Sequence, residues 1–154
     1  MWGEILWAGF LTTSYVAIVG LVLSGCQAIG LLQLELEYLP VIIPIVFVVA
    51  CAFAALGLCF TALVPTIDHV NLPIFLVVLP LSFVSATYFP LGHPALATIS
   101  TANPLYHLAE GIRGLLLDGR ASDHLASLAG LLAVMFGVLV PLDMRLLRKR
   151  VLGD

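Results

Sequence analysis

Residues 38–67 read YLPVIIPIVFVVACAFAALGLCFTALVPTI, a run without one Asp, Glu, Lys or Arg. A helix needs about 20 consecutive, mostly apolar residues to cross the hydrocarbon layer of a bilayer, so this stretch holds a complete membrane span. Working outward, residues 5–34, 69–109 and 124–142 are equally free of those four residue types. Spans are therefore expected near 5–26, 41–64, 70–89 and 125–142. The whole chain agrees, with 62% hydrophobic residues, 10% charged residues against roughly 25% in soluble domains, and a mean hydropathy of +1.16. The expected fold is an all-α, polytopic membrane protein, a single transmembrane domain over residues 1–154 with about four transmembrane helices.

The chain opens Met1-Trp2-Gly3-Glu4, without the basic start of a secretory signal peptide, and its first apolar run is too long for one, so that segment is expected to be retained. Four of the six basic residues, Arg145, Arg148, Lys149 and Arg150, follow the last span. Cytoplasmic loops are enriched in Lys and Arg, which places the C-terminus in the cytoplasm. Four crossings bring the N-terminus to the same side and send the Glu35/Glu37 loop and residues 89–123 outward; Arg113 and Arg120 then sit on the side the rule disfavours.

Cys26, Cys51 and Cys59 show no paired spacing and read as small packing residues. A net charge of −3 argues against nucleic-acid binding. Residues 65–71 join spans two and three as a tight hairpin. Asp68 and His69 there could relay protons if they lay within the bilayer, but beside Pro65 and Asn71 a solvated or capping role fits the turn better. Pro40, Pro44, Pro73 and Pro80 punctuate the apolar runs; an interior proline removes a backbone hydrogen bond and kinks its helix, whereas Pro40 and Pro73 suit helix entry. Ala50, Ala54, Ala55 and Gly57 in span two, with Ala129, Gly130, Ala133 and Gly137 in span four, suggest close helix packing through small residues.

Residues 90–123 are too long and broken for a turn and too apolar for a solvated loop. Residues 96–100 can form one short helix, and Asn103-Pro104 is a helix-start signal for a second over 105–117. In that second helix Leu105, Leu108, Ile112, Leu115 and Leu116 recur at helical spacing, and Glu110 and Arg113, three apart, can pair. Either could hold a ligand; a surface ion pair is the simpler reading. Two short helices joined by a break form a re-entrant or interfacial hairpin.

The segment 57–65, GLCFTALVP, leading to Asp68, then LPLSFVSATYFPL over 79–91, Asn103-Pro104-Leu105-Tyr106-His107, Arg113, and LLLDG ending at Gly119 resemble the C-terminal part of a type-2 ABC exporter permease. The opening Gly3-Glu4-Ile5-Leu6-Trp7-Ala8 is similar too, and within that family the closest likeness is to nodulation-factor (lipo-oligosaccharide) export permeases. The resemblance implies that these four spans are the third to sixth of six, that residues 90–123 are the two external helices, and that the first two spans and much of the coupling segment are absent before Met1, so that the chain looks like a truncated or partial permease.

The resemblance further implies a bacterial inner-membrane exporter of a lipo-oligosaccharide, polysaccharide or drug-like substrate, built from two permease copies and two ATPase subunits in the lipid bilayer. The chain itself would be no enzyme and carry no cofactor or metal: no phosphate-binding loop is present, so ATP belongs on the ATPase. Ser82, Ser85, Thr87 and Tyr88, polar or aromatic in a greasy helix, are the candidates to face the substrate path, with packing as the alternative. Asn103, Pro104, Glu110 and Arg113 mark the external helices. The rival from another class is a truncated, non-transporting interaction or assembly protein.

Overall fold

A computed structural model describes residues 2–31, 34–63, 74–87 and 94–152. Six α-helices run through them: α1 (Trp2–Ala28), α2 (Leu39–Leu63), α3 (Leu79–Phe83), α4 (Pro94–Ser100), α5 (Pro104–Asp118) and α6 (Asp123–Leu152). A 3-10 turn, Leu36–Tyr38, leads into α2, and a π-helical turn, Ile74–Val78, leads into α3. Among the described residues there is no strand.

Three helices are long and apolar enough to cross a membrane, over Trp2–Ala28, Leu36–Leu63 and Asp123–Leu146. They coincide with the first, second and fourth expected spans. Of the third, near 70–89, the described part is helical over Ile74–Val78 and Leu79–Phe83, and its helix stops six residues before position 89. The expected hairpin at 65–71, with Asp68 and His69, and residues 88–93, with Tyr88, lie outside the described residues. The last helix continues ten residues past 142, because hydropathy marks the edge of the apolar layer while good helix formers such as Arg145 and Arg148 extend the hydrogen-bonded coil beyond it.

α2 forms the centre, packed on α1 along one side and on α6 and α5 along another. One apolar cluster joins Val49 and Ala52 of α2 to Leu128 and Leu132 of α6, and a second joins Ile5 of α1 to Cys51 and Ala55 of α2 beside Phe136 and Leu139 of α6. A third joins Ile42 and Val46 to Leu115 of α5. The α1–α2 crossing is close: a Cβ at Gly9 would lie 2.6 Å from Cys51 Sγ.

Small residues contribute less than their pattern suggests. Ala55 is fully buried, but Gly57, Gly130 and Gly137 face open space, and Leu128 and Leu132 form the contact ridge of α6 instead. α1 buries only Ile5, Gly9 and Gly20, leaving Trp7, Phe10, Tyr15, Ile18 and Leu21 outward. A helix apolar all round suits lipid, which solvates such side chains as well as a protein core does. Its hydroxyls fold back onto the helix, Thr13 Oγ1 donating to Gly9 O at 2.8 Å and Ser24 Oγ to Gly20 O at 2.8 Å, which spares lipid an unpaired polar group.

Pro44 lies inside α2 and Pro141 inside α6. Pro40 is the second residue of α2, where its missing N–H has no partner to lose.

Candidate functional site

Most of the polar side chains buried in the described structure gather where α3, the α4–α5 hairpin and the start of α6 meet: Ser85, Ser100, Asn103 and His107. Each makes a hydrogen bond, Ser100 Oγ donating to Ala97 O at 2.8 Å, and together they explain the local fold.

Of the expected path residues, Ser82, Ser85 and Thr87 sit at the end of α3 and just beyond it. Ser82 Oγ donates to Val78 O at 2.8 Å, and Ser85 Oγ to Ser82 O at 2.6 Å. Ser85's one hydroxyl proton is thereby used, so Thr87 Oγ1 is the donor across its 2.6 Å contact with Ser85 Oγ. Ser85 is 1% exposed. These hydroxyls stitch the helix terminus and compete with continued helix, as Ser and Thr side chains do. Ala86 follows at φ 57°, a left-handed conformation that no other described non-glycine residue adopts.

The second cluster member, Asn103, is 2% exposed. Its Oδ1 accepts from Leu105 N at 3.0 Å, the N-cap its sequence position predicts, with Pro104 opening α5. Its Nδ2 donates to Leu81 O at 2.7 Å, in α3. The α5 helix ends at Gly119, whose φ of 62° gives the left-handed cap that glycine adopts without strain. Pro104, His107, Gly111 and Leu115 line its buried face. Leu108, Ile112 and Leu116 pack beside that face, whereas Leu105 joins none of the core clusters.

His107 and His124, on α5 and α6, meet across two helices. Their Nδ1 atoms are 3.1 Å apart, and His107 Nε2 lies 2.8 Å from Thr101 O. Tyr106 stands edge-on to both rings. Among the described residues no three His, Cys, Asp or Glu side chains converge as metal ligands. Glu110 and Arg113 pair along the outer face of α5, half-exposed, and do not join the buried cluster.

The same end of the bundle is held to the α1–α2 connection. Tyr38 donates its hydroxyl to Gly119 O at 2.8 Å, and Glu35 N donates to Leu116 O at 2.8 Å. At the opposite end of α6, Asp143 is 0% exposed and lies against the Cys59 thiol, with no other hydrogen-bond partner on either carboxylate oxygen among the described residues. An apolar groove of about 380 Å³ runs between α2 and α6, lined by Pro44, Val48, Leu125 and Leu132 among others.

The comparison with protein families decides what this arrangement belongs to: residues 1–117, from α1 through α5, match the ABC-2 type transporter. The chain belongs to the ABC-2 type transporter membrane family. Its similarity extends to nodulation protein J of Rhizobium leguminosarum bv. trifolii, 31% identical over 153 residues, and of R. leguminosarum bv. viciae, 28% identical over 155 residues. Each comparison covers 97% of this chain and 56% of the relative, so the chain spans about half the length of the curated relatives it matches. No solved structure matches. As an ABC-2 family member with long apolar helices, the protein is a multi-pass membrane protein.

Proposed function

We propose that the chain forms the membrane-spanning part of a permease that exports an acylated oligosaccharide, driven by ATP hydrolysis on a separate ATPase subunit. The observation that carries this reading is the family match across α1 to α5. The nodulation protein J relatives support a lipo-oligosaccharide as the cargo.

In this reading both termini face the cytoplasm of a bacterial cell, the α4–α5 hairpin faces outward, and the permease acts as a pair of copies. ATP binding on the ATPase favours one of two permease conformations and hydrolysis restores the other, so cargo is moved by differential stabilisation of two states. The chain performs no bond chemistry. Its own contribution is a polar break in the third span, where Ser82, Ser85 and Thr87 leave acceptor lone pairs in an apolar helix; Tyr88 follows at the same place in sequence.

Inverted membrane vesicles holding the permease and its ATPase test this directly. A fluorescent N-acylated oligosaccharide should accumulate with ATP and fail to accumulate with vanadate. Equal uptake with and without ATP, or none, sinks the exporter reading and favours an assembly role.

A further inference from the structure

In an uninterrupted α-helix the carbonyl of Leu81 would accept from the N–H of Ser85. Ser85 N instead donates to Ser82 O at 3.2 Å, while Val84 N donates to Pro80 O at 3.1 Å. The Leu81 carbonyl is thus left over at the point where α3 stops, and Asn103 Nδ2 takes it at 2.7 Å. The same amide, through Oδ1, accepts Leu105 N at 3.0 Å and caps α5. One buried side chain therefore serves the end of one helix and the start of another, 22 residues apart in sequence.

The chemistry selects asparagine. A primary amide presents donor and acceptor on one short planar group. Asp caps a helix as well as Asn does, but an ionised carboxylate has no proton for the Leu81 carbonyl. Ser caps too, with a single, shorter hydroxyl.

The bond lands one residue before Ser82, whose carbonyl accepts from Ser85 Oγ, which in turn accepts from Thr87. On the other side α5 is fixed to α6 through His107 and His124 and to the α1–α2 connection through Tyr38. We infer that Asn103 is a positioning residue for transport, coupling the polar break of the third span to the α4–α5 hairpin so that both shift as one body between the two permease states. The inference rests on the exporter reading above.

The test uses the full-length permease with its ATPase in lipid nanodiscs and proteoliposomes, with Cys26 replaced by Ser and paired spin labels on introduced cysteines. The pairs are Leu79→Cys with Leu117→Cys within one copy, and Leu117→Cys with its counterpart in the second copy, at exposed positions. In the parent protein the 79–117 distance stays narrow and unchanged by ATP with vanadate, while the 117–117 distance between the copies shifts. In Asn103→Asp, which keeps the α5 cap, the 79–117 distance should broaden or become nucleotide-dependent. Fluorescent acyl-oligosaccharide moved per ATP hydrolysed should fall by roughly fivefold, the size of one lost hydrogen bond. Asn103→Ser probes the same link should the Asp variant fail to fold. Parental distances and parental cargo per ATP in a folded variant overturn the coupling. A parent complex showing neither nucleotide-dependent distances nor ATP-driven flux sinks the exporter reading, and the coupling with it.

Discussion

His107 Nδ1 lies 3.1 Å from His124 Nδ1, joining α5 to α6. The Thr101 carbonyl opposite His107 Nε2 can only accept, so that nitrogen carries the proton. In the neutral ring Nδ1 is then the acceptor, and His124 supplies the bridging proton. For neutral rings, the backbone carbonyl at His107 Nε2 and the contact between the two Nδ1 atoms together fix both tautomers.

The pair predicts a coupling energy. His107→Ala and His124→Ala should each lower the thermal unfolding temperature in detergent micelles, and the double variant should cost less than the sum, by about 0.5–1.5 kcal/mol for one hydrogen bond. Strict additivity would show that the two rings act independently.

Gly9 predicts a steric cost. The Cβ of Gly9→Ala would sit 2.6 Å from Cys51 Sγ and 2.9 Å from Phe47 Cε2, so α1 must shift against α2 at a cost of about 1–3 kcal/mol. Gly25→Ala, in the same helix with nothing within 4 Å, should instead gain about 0.5–1 kcal/mol from the loss of glycine's backbone freedom. Chemical unfolding of the two variants side by side separates crowding from helix propensity.

Tyr38 and Gly119 predict a weakened clasp. Tyr38→Phe removes the hydroxyl that reaches Gly119 O at 2.8 Å and should cost about 0.5–1.5 kcal/mol. Gly119→Ala places a Cβ at φ 62° and should cost about 1–2 kcal/mol. Hydrogen exchange at the end of α5 should quicken in both, with α2 unchanged.

The three long spans were legible because a charged side chain in hydrocarbon is expensive and uncharged runs mark where none occurs. The α5 start was legible because Asn-Pro carries its own mechanism. The end of α3 was not: residues 69–109 are uniformly uncharged, and hydropathy is blind to Ser85 and Thr87 bonding their own backbone or to Ala86 turning left-handed. The histidine pair was illegible for another reason, since 17 residues separate partners on different helices and no spacing rule within one helix can find them. Asp143 follows the last uncharged run by one residue and reads as a boundary; the fold buries it.

Asp143 predicts a substitution that holds or raises stability. Its wholly buried carboxylate has only the Cys59 thiol, a weak donor, beside it among the described residues, and a buried polar group so poorly paired costs about 1–3 kcal/mol. Asp143→Asn, of nearly the same shape, cannot carry a charge and adds donors of its own, so its melting temperature in micelles should equal or exceed that of the parent. A clear fall would reveal a cation held at this carboxylate.

As proposed above, this ABC-2 family chain works as the permease of an ATP-driven exporter. Its most direct test is ATP-dependent uptake of a fluorescent N-acylated oligosaccharide into proteoliposomes reconstituted with purified permease and ATPase, oriented with the ATPase outside. Uptake should require ATP, stop with vanadate and vanish when either subunit is omitted. Uptake indifferent to ATP, or ATP hydrolysis that proceeds with no uptake, would contradict it.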